Sequence, residues 1–520
     1  MNNNNNTSVY FTTRIINFLI IASAFVFFII TIKYGHKWGG DFAQYISHGI
    51  NIATGKSYID TGYFFNQYSG WYGPKTYPPV FPYLLSLVYQ FNGLNLYAMK
   101  IMIIVCFAIF LFIYNIYCAK RVENNLTVTF ALIMIAFSPA FWETKNNILS
   151  DIPFIMFLYL ALLMAERIDR IQKDDHKAIL EAFIFGLVCY LAYGTRSVGL
   201  LVIVAFCFSQ MYRRRKITSA MCTSVVVFSL LFIWQNAFLH SDASYLENIN
   251  NDQGIKKAQD SSNYIEILYG YGQFVVNNIT NHVPQYAKVL KWFWEGGSNP
   301  LIGIYMTIIT VIISMYGYIT LLARRASTGE IFTLIYTSVL IFGPFFQGMR
   351  YLIPILPMYS LCLFNAVDQQ CLFPTEKAKK IIKIGFISII LMIYLMNYLR
   401  LDYSPYKSGI GKKTTVELFN YIEQNTPKDS LIIFQKPRVL ALFARRRSST
   451  YFSSYDEKFD GKRTLEFFKK INATHVIISN GVWGHEEVKA YVKWVKAEQS
   501  ILIPQYINQD FTLYSIHQTK

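Results

Sequence analysis

The sequence predicts a mainly α-helical, polytopic membrane bundle of about eleven spans, N-terminus inside and C-terminus outside, with a small exported α/β domain at its C-terminal end. Three observations predict it. Of 520 residues, 53% are hydrophobic and only 15% charged, against roughly 25% charged in soluble globular chains. Charge-free apolar stretches recur through the first 400 residues, several of them near the ~20 residues that cross a hydrocarbon core about 30 Å thick. Lys and Arg clusters occupy alternate gaps between those stretches. The formal charge of +17 therefore reads as topology determinants rather than a nucleic-acid surface, and no nucleic-acid partner is expected.

Residues 1 to 11 hold an Asn tract and read as a disordered cytoplasmic tail. Spans are expected near 12 to 34, 96 to 119, 126 to 142, 152 to 166, 178 to 194, 197 to 212, 217 to 239, 300 to 323, 331 to 347, 351 to 367 and 381 to 400, so that 12 to 401 forms the bundle. The first lacks a small-residue cleavage site and reads as a retained signal anchor. Lys120-Arg121, the stretch 167 to 177, Arg213 to Lys216, Arg324-Arg325 and the stretch 377 to 383 all fall on one side, which short basic loops make cytoplasmic. The exported segments carry no cysteine, so no disulfides are expected, and zinc spacings are absent.

Three outer segments exceed simple connectors. Residues 35 to 95 carry Gly39-Gly40-Asp41, an amphipathic helix with Phe42, Tyr45, Ile46, Ile50 and Ala53 on one face, and a short apolar helix lying along the interface after Tyr77-Pro78-Pro79. Residues 240 to 299 start polar and loop-like and finish in Tyr286, Trp292, Phe293 and Trp294, residues suited to headgroup level. Residues 402 to 520 form the exported domain, with helices at 413 to 425, 437 to 444, 461 to 471 and 485 to 498. Strands are expected at 430 to 434, 474 to 479, 501 to 507 and 511 to 516.

Charged groups close to hydrocarbon each need a reason. Asp41 follows the first span, Asp151 opens the fourth, and Glu143 closes the third. Converging acids would supply a general base toward a hydroxyl and a group that orients it. The alternative for Asp41 and Asp151 is a helix N-cap, and Glu143 also reads as a plain interfacial acid. Arg196 and Arg350 emerge at the same level, against the positive-inside trend, and an arginine fork suits a phosphate. Snorkelling to lipid headgroups or pairing with the acids are their alternatives. Lys75 is a weaker phosphate candidate, and His48 reads as structural. Tyr45, Tyr77 and Glu143 are expected to line substrate; Trp71, Tyr72, Tyr77 and Trp292 read as sugar-stacking surfaces or interfacial anchors.

Gly40-Asp41-Phe42-Ala43-Gln44-Tyr45 with Gly55 downstream, Tyr77-Pro78-Pro79-Val80-Phe81-Pro82-Tyr83-Leu84-Leu85, Ser150-Asp151-Ile152-Pro153-Phe154, Thr195-Arg196, and Arg350 through Pro357 follow one another at the outer boundary. The set resembles the C-type (GT-C) glycosyltransferase superfamily over roughly residues 10 to 400, nearest the bacterial relatives of protein O-mannosyltransferases and lipid A aminoarabinose transferases. The resemblance implies inverting transfer of a sugar from a polyprenyl-phosphate donor to a hydroxyl acceptor on the outer face, the acceptor being a glycan, lipid or protein. It implies that Asp41 is the catalytic base and Asp151 the acid of the second outer loop. Many relatives carry a second acid where this chain has Phe42, so no cofactor is assigned and a divalent cation stays open. A bacterial inner membrane is the expected location. A lipid or polyol transporter or flippase, with ionisable groups near the midplane, and an envelope assembly protein are the competing readings.

Overall fold

The computed structural model describes residues 2–66, 74–171, 176–239, 264–295, 300–343, 346, 348–369, 375–451, 459–480, 486–498 and 500–517. Helices occupy each of the eleven apolar stretches. Six are long and apolar enough to cross a membrane: Thr12–Ile30, Leu96–Arg121, His176–Thr195, Ser219–Ala237, Leu301–Arg325 and Glu376–Arg400. A seventh arises if Asn125–Ala136 and Pro139–Lys145, which meet at a 46° bend, count as one. The other stretches are short, as in Leu200–Arg214, Thr328–Phe342 and Leu356–Val367, or carry charge at both ends, as in Asp151–Arg170.

Local chemistry sets the helix ends. Asn95 caps Leu96–Arg121, its side chain accepting from the Tyr97 and Ala98 amides at 3.0 and 3.1 Å, and Lys120 and Arg121 sit in the last turn, where carbonyl dipoles favour cations. Ser327 and Glu330 form a reciprocal capping box at Thr328–Phe342. The basic turns gather at one end of the bundle. Arg121 is buried between Glu166 and Glu330, Arg213 pairs with Asp169, and Lys383 with Asp368. Arg325 and Arg170 both donate to the Lys120 carbonyl, at 3.2 and 3.4 Å. Asp41, Asp151, Arg196 and Arg350 lie at the opposite end of the same helices.

Helices Asp41–Thr54 and Val80–Asn92 fold onto that opposite end. Asp41–Thr54 is buried on all sides along Phe42 to Gly49 rather than on one face, because other chain segments cover it. Val80–Asn92 packs against it so closely that a Cβ on Gly49 would lie 2.9 Å from the Pro82 carbonyl oxygen. Tyr83, Leu87 and Phe91 of that second helix stay exposed. Residues 240–263 lie outside the described residues, but Tyr264–Glu295 is one 32-residue helix where only loop and interfacial aromatics were expected. Gly270, Gly272 and Pro284 masked its periodicity; packing against Pro300–Arg325 supplies what local propensity lacks.

The C-terminal region forms a five-stranded sheet of order β2-β1-β3-β5-β4. β1 (Leu431–Ile433) runs parallel to β2 (Arg447–Ser449) and β3 (His475–Ser479), across helices Pro437–Phe443 and Gly461–Lys470. β4 (Leu502–Ile507) and β5 (Phe511–Ile516) close antiparallel on β3. Alternation divides the two faces: Ile432 and Ile477 join the core shared with the bundle, whereas Ile433, Val476 and Ile478 face a second core with Phe468, Tyr491 and Val495. The first outer segment also hydrogen-bonds the sheet edge, where the Phe64 amide donates to Ser448 O at 2.8 Å and the Ser448 amide to Gly62 O at 2.9 Å. Trp38 packs edge-on to Phe419, Phe434 and Phe511. The C-terminal region is thus joined to the Asp41 end of the bundle by backbone bonds and a continuous apolar core.

Candidate active site

Asp41 and Asp151 each occupy the first residue of a helix, with Gly40 and Ser150 in the capping positions and no side-chain cap bond at either. Their carboxylates are therefore free of the capping role and turn to arginines. Arg350 bridges the two: its Nη1 donates to Asp41 Oδ2 at 2.9 Å and its Nε to Asp151 Oδ2 at 3.1 Å. Arg196 pairs with the other oxygen of Asp151. The turn that presents Arg350 depends on Gly348, whose φ of +61° an L side chain rarely adopts.

A third arginine comes from the C-terminal region. Arg438, in the first turn of Pro437–Phe443, donates through Nη1 to Tyr77 Oη at 3.1 Å and approaches Asp41 Oδ1 at 3.5 Å. Its Nη2 donates to the Pro74 carbonyl at 2.6 Å. Tyr77 Oη in turn donates to Asp41 Oδ1 at 2.8 Å. The sequence reading missed Arg438, because Lys436-Pro437-Arg438 reads only as an ordinary helix start and nothing local ties it to the first outer segment.

Accessibility separates the acids. The Asp41 side chain is 30% exposed and that of Arg350 26%, whereas Asp151 is fully enclosed and Arg438 is 2% exposed. Burial pushes the Asp41 carboxyl up, but Arg350 and then Arg438, with bonds from Arg350 and Tyr77, outweigh it and hold the group below the usual carboxylate range. Burial would lower the Arg350 guanidinium, yet Asp151 and Asp41 raise it further above its ordinary value. Three guanidinium groups face two carboxylates, leaving the cluster one positive charge in excess.

Among the other expected residues, Tyr45 stands beside this centre: it is buried, its hydroxyl 3.0 Å from Ser150 Oγ and its ring 4.4 Å from that of Tyr77, so it ties Asp41–Thr54 to the turn before Asp151. Glu143, expected to line substrate, pairs with Lys37 outside the cluster because its helix turns it toward the end of the first span. Lys75 is exposed and joins through its carbonyl, which accepts from Gln44 Nε2 at 2.9 Å. His48 is buried on the Tyr58 ring, and burial draws its imidazole down to about 4. Trp71, Tyr72 and the Trp292 side chain lie outside the described residues.

A divalent cation does not fit this donor set. Both oxygens of each carboxylate already accept from guanidinium or phenol groups, and a metal would have to displace arginine charge to reach them. Among the described residues no three His, Cys, Asp or Glu side chains gather as metal ligands.

A family model described as dolichyl-phosphate-mannose-protein mannosyltransferase matches residues 76–237, a stretch that contains Tyr77, Asp151 and Arg196. No curated protein matches the chain by sequence. Among solved structures it is similar to the archaeal oligosaccharyltransferase AglB from Archaeoglobus fulgidus in complex with an inhibitory peptide and a dolichol-phosphate. That likeness has a TM-score of 0.57 and 12% identity over 89% of this chain and 69% of the other. ArnT from Cupriavidus metallidurans is similar in the apo state, with TM-score 0.57 and 12% identity over 96% and 97% of the two chains. Its undecaprenyl phosphate complex gives TM-score 0.52 and 12% identity over 96% and 98%. The chain thus shares its fold with these membrane glycosyltransferase structures, and its residues 76–237 match the mannosyltransferase family model.

Proposed function

We propose that the chain is a multi-pass membrane glycosyltransferase that moves a sugar from a polyprenyl-phosphate donor to a hydroxyl acceptor on the outer face, with inversion. The observation that carries this reading is Arg350 joining a partly exposed Asp41 to an enclosed Asp151 at the end of the bundle away from the basic turns. Eleven crossings, N-terminus inside and C-terminus outside, put that end beyond the lipid tails. The dolichol-phosphate bound in AglB and the undecaprenyl phosphate bound in ArnT support a lipid-linked donor.

In this mechanism Asp41 takes the acceptor hydroxyl proton while the new bond to the anomeric carbon forms and the bond to the donor phosphate oxygen breaks. A single displacement inverts the centre. Charge growing on the leaving phosphate is met by Arg350 and Arg438, fixed before the reaction by Asp151, Tyr77 and the Pro74 carbonyl. These arginines make resting Asp41 a weak base. A donor phosphate that draws them off would relax that hold and strengthen the base when it is needed. The charged pairs gather at the two ends of the bundle, which argues against a transporter with ionisable sites at the midplane.

The test incubates purified protein in detergent with a panel of polyprenyl-phosphate sugars and a mixed acceptor pool, and follows release of polyprenyl phosphate. Release that depends on Asp41 supports the proposal. Translocation of intact donor across liposomes without sugar release would replace it with transport.

A further inference from the structure

We propose that the cleft between the end of the first apolar helix and the segment after the last one is a binding site for a phosphate group. It is a cavity of about 420 Å³ lined by Lys33, Lys37, Trp38, Asp402, Tyr406 and Lys407, with no residue in common with the Asp41 cluster. The inference is independent of the transfer activity proposed above.

Its charge is unbalanced. The ammonium groups of Lys33, Lys37 and Lys100 stand 4.7, 5.5 and 5.5 Å from the centre of the Tyr406 ring. Lys145 lies behind them, fully enclosed. Lys100 donates to the Lys33 and Gly35 carbonyls at 2.8 and 2.5 Å, and Lys145 to the Thr31 carbonyl at 2.7 Å. Carbonyl oxygens satisfy those hydrogen bonds, and because burying an unpaired cation is costly these two enclosed lysines are left out of the charge of the cleft itself. Of the lining residues, Lys33, Lys37 and Lys407 face Asp402, 3.6 Å from Lys407, with Glu143 paired to Lys37. A surplus of one positive charge remains in the cleft.

Two further observations point to an anion. Tyr406 Oη is buried and has no hydrogen-bond partner, so a phenol donor stands unused among the lysines. His36, stacked on Phe42 at 3.8 Å, is driven to about 3 by burial first and then by Lys100 and Lys37, against its bond to the Lys37 carbonyl. The imidazole thus senses the same positive potential. A tetrahedral phosphate, with several oxygens to share among point-charge lysines, suits this arrangement better than a planar carboxylate.

The position suggests the source. Lys33 follows Thr12–Ile30 and Asp402 follows Glu376–Arg400, so the cleft opens at the ends of two candidate spans, where lipid headgroups lie. A lipid headgroup and a free phosphate share the chemistry, and the experiment separates them.

The full chain in a neutral detergent is followed by thermal unfolding as phosphatidylglycerol, phosphatidylcholine, inorganic phosphate or chloride at matched ionic strength is added. The expected result is a saturable rise in Tm with phosphatidylglycerol and none with phosphatidylcholine or chloride. The apparent affinity should fall at least about tenfold in Lys33→Gln/Lys407→Gln and return in Lys33→Arg/Lys407→Arg. The same rise with inorganic phosphate would assign a free-phosphate source; a rise with the lipid alone would assign a headgroup. Should the double variant not fold, Lys407→Gln alone, at a side chain 86% exposed, must still weaken the response. No rise with either phosphate, an equal rise with chloride, or glutamine variants that respond like the wild type would overturn the site.

Discussion

Replacing Arg438 by Gln asks whether the C-terminal region completes the reaction centre. Arg438 is 2% exposed and touches Tyr77 Oη, the Pro74 carbonyl and Asp41 Oδ1 at 3.1, 2.6 and 3.5 Å. Asp41 keeps Arg350 in the variant, so the carboxylate is not stranded. The loss is that of one fixed donor to developing phosphate charge, about 2.7–4 kcal/mol or roughly 10²- to 10³-fold in kcat/KM. A second readout separates chemistry from simple damage. Burial raises the Asp41 carboxyl, and Arg350 and Arg438 together reverse that effect, so the acid limb of kcat/KM against pH lies below the usual carboxylate range in the wild type. Removing Arg438 leaves one arginine against burial, and the limb moves upward. Arg438→Lys keeps the charge without the fork and should fall between the two. The assay is steady-state release of polyprenyl phosphate at saturating acceptor, from pH 3.5 to 8 as a roughly chosen range around that carboxylate value. Activity within about twofold of wild type and an unmoved limb would refute the placement of Arg438 on the transition state.

Asp41→Asn removes the proton acceptor while keeping the side chain's shape; it should insert and fold, and lose about 10²- to 10⁴-fold in kcat. Near-normal turnover would reject Asp41 as base. The same variant reports stability. Because the folded-state value of Asp41 is depressed, its contribution is present above the unfolded value of about 4 and disappears as pH falls through the folded one, so the Tm gap between wild type and variant should close only in acid. Asp151→Ala leaves Arg196 and Arg350 without their enclosed counter-ion and should cost about 3–5 kcal/mol in denaturant unfolding; an unchanged midpoint would show the pair to be dispensable. Gly348→Ala forces an alanine to φ +61°, costs on the order of 1–3 kcal/mol, and should raise donor KM by shifting Arg350. Unaltered KM and Tm would remove that glycine from the argument.

Much of the fold could be read locally. Apolar runs bounded by Asn95, Asn124 or Thr375 gave helices because each carries its own cap and a continuous apolar stretch. The helix and strand alternation after residue 410 gave four of the five strands. β2 was not legible, since Arg447-Ser448-Ser449 carries no apolar alternation and becomes a strand only beside β1. Tyr264–Glu295 was hidden by glycines and a proline that its packing overrides. Asp41, Asp151, Arg196 and Arg350 stood out because a charge at the edge of an apolar run demands a reason.

Sequence alone determined that this chain is a membrane bundle, which end collects its basic turns, and which charged side chains stand at the other end. Hydropathy and charge are properties of short segments, so they survive without coordinates. Only the tertiary structure decided that Arg350 holds both acids, that Arg438 reaches Asp41 from 397 residues away in the chain, and that Glu143 turns to Lys37 instead. Those outcomes depend on how helices and a sheet edge pack across long separations, where a rotation of one helix by a single residue sends a side chain to a different neighbour.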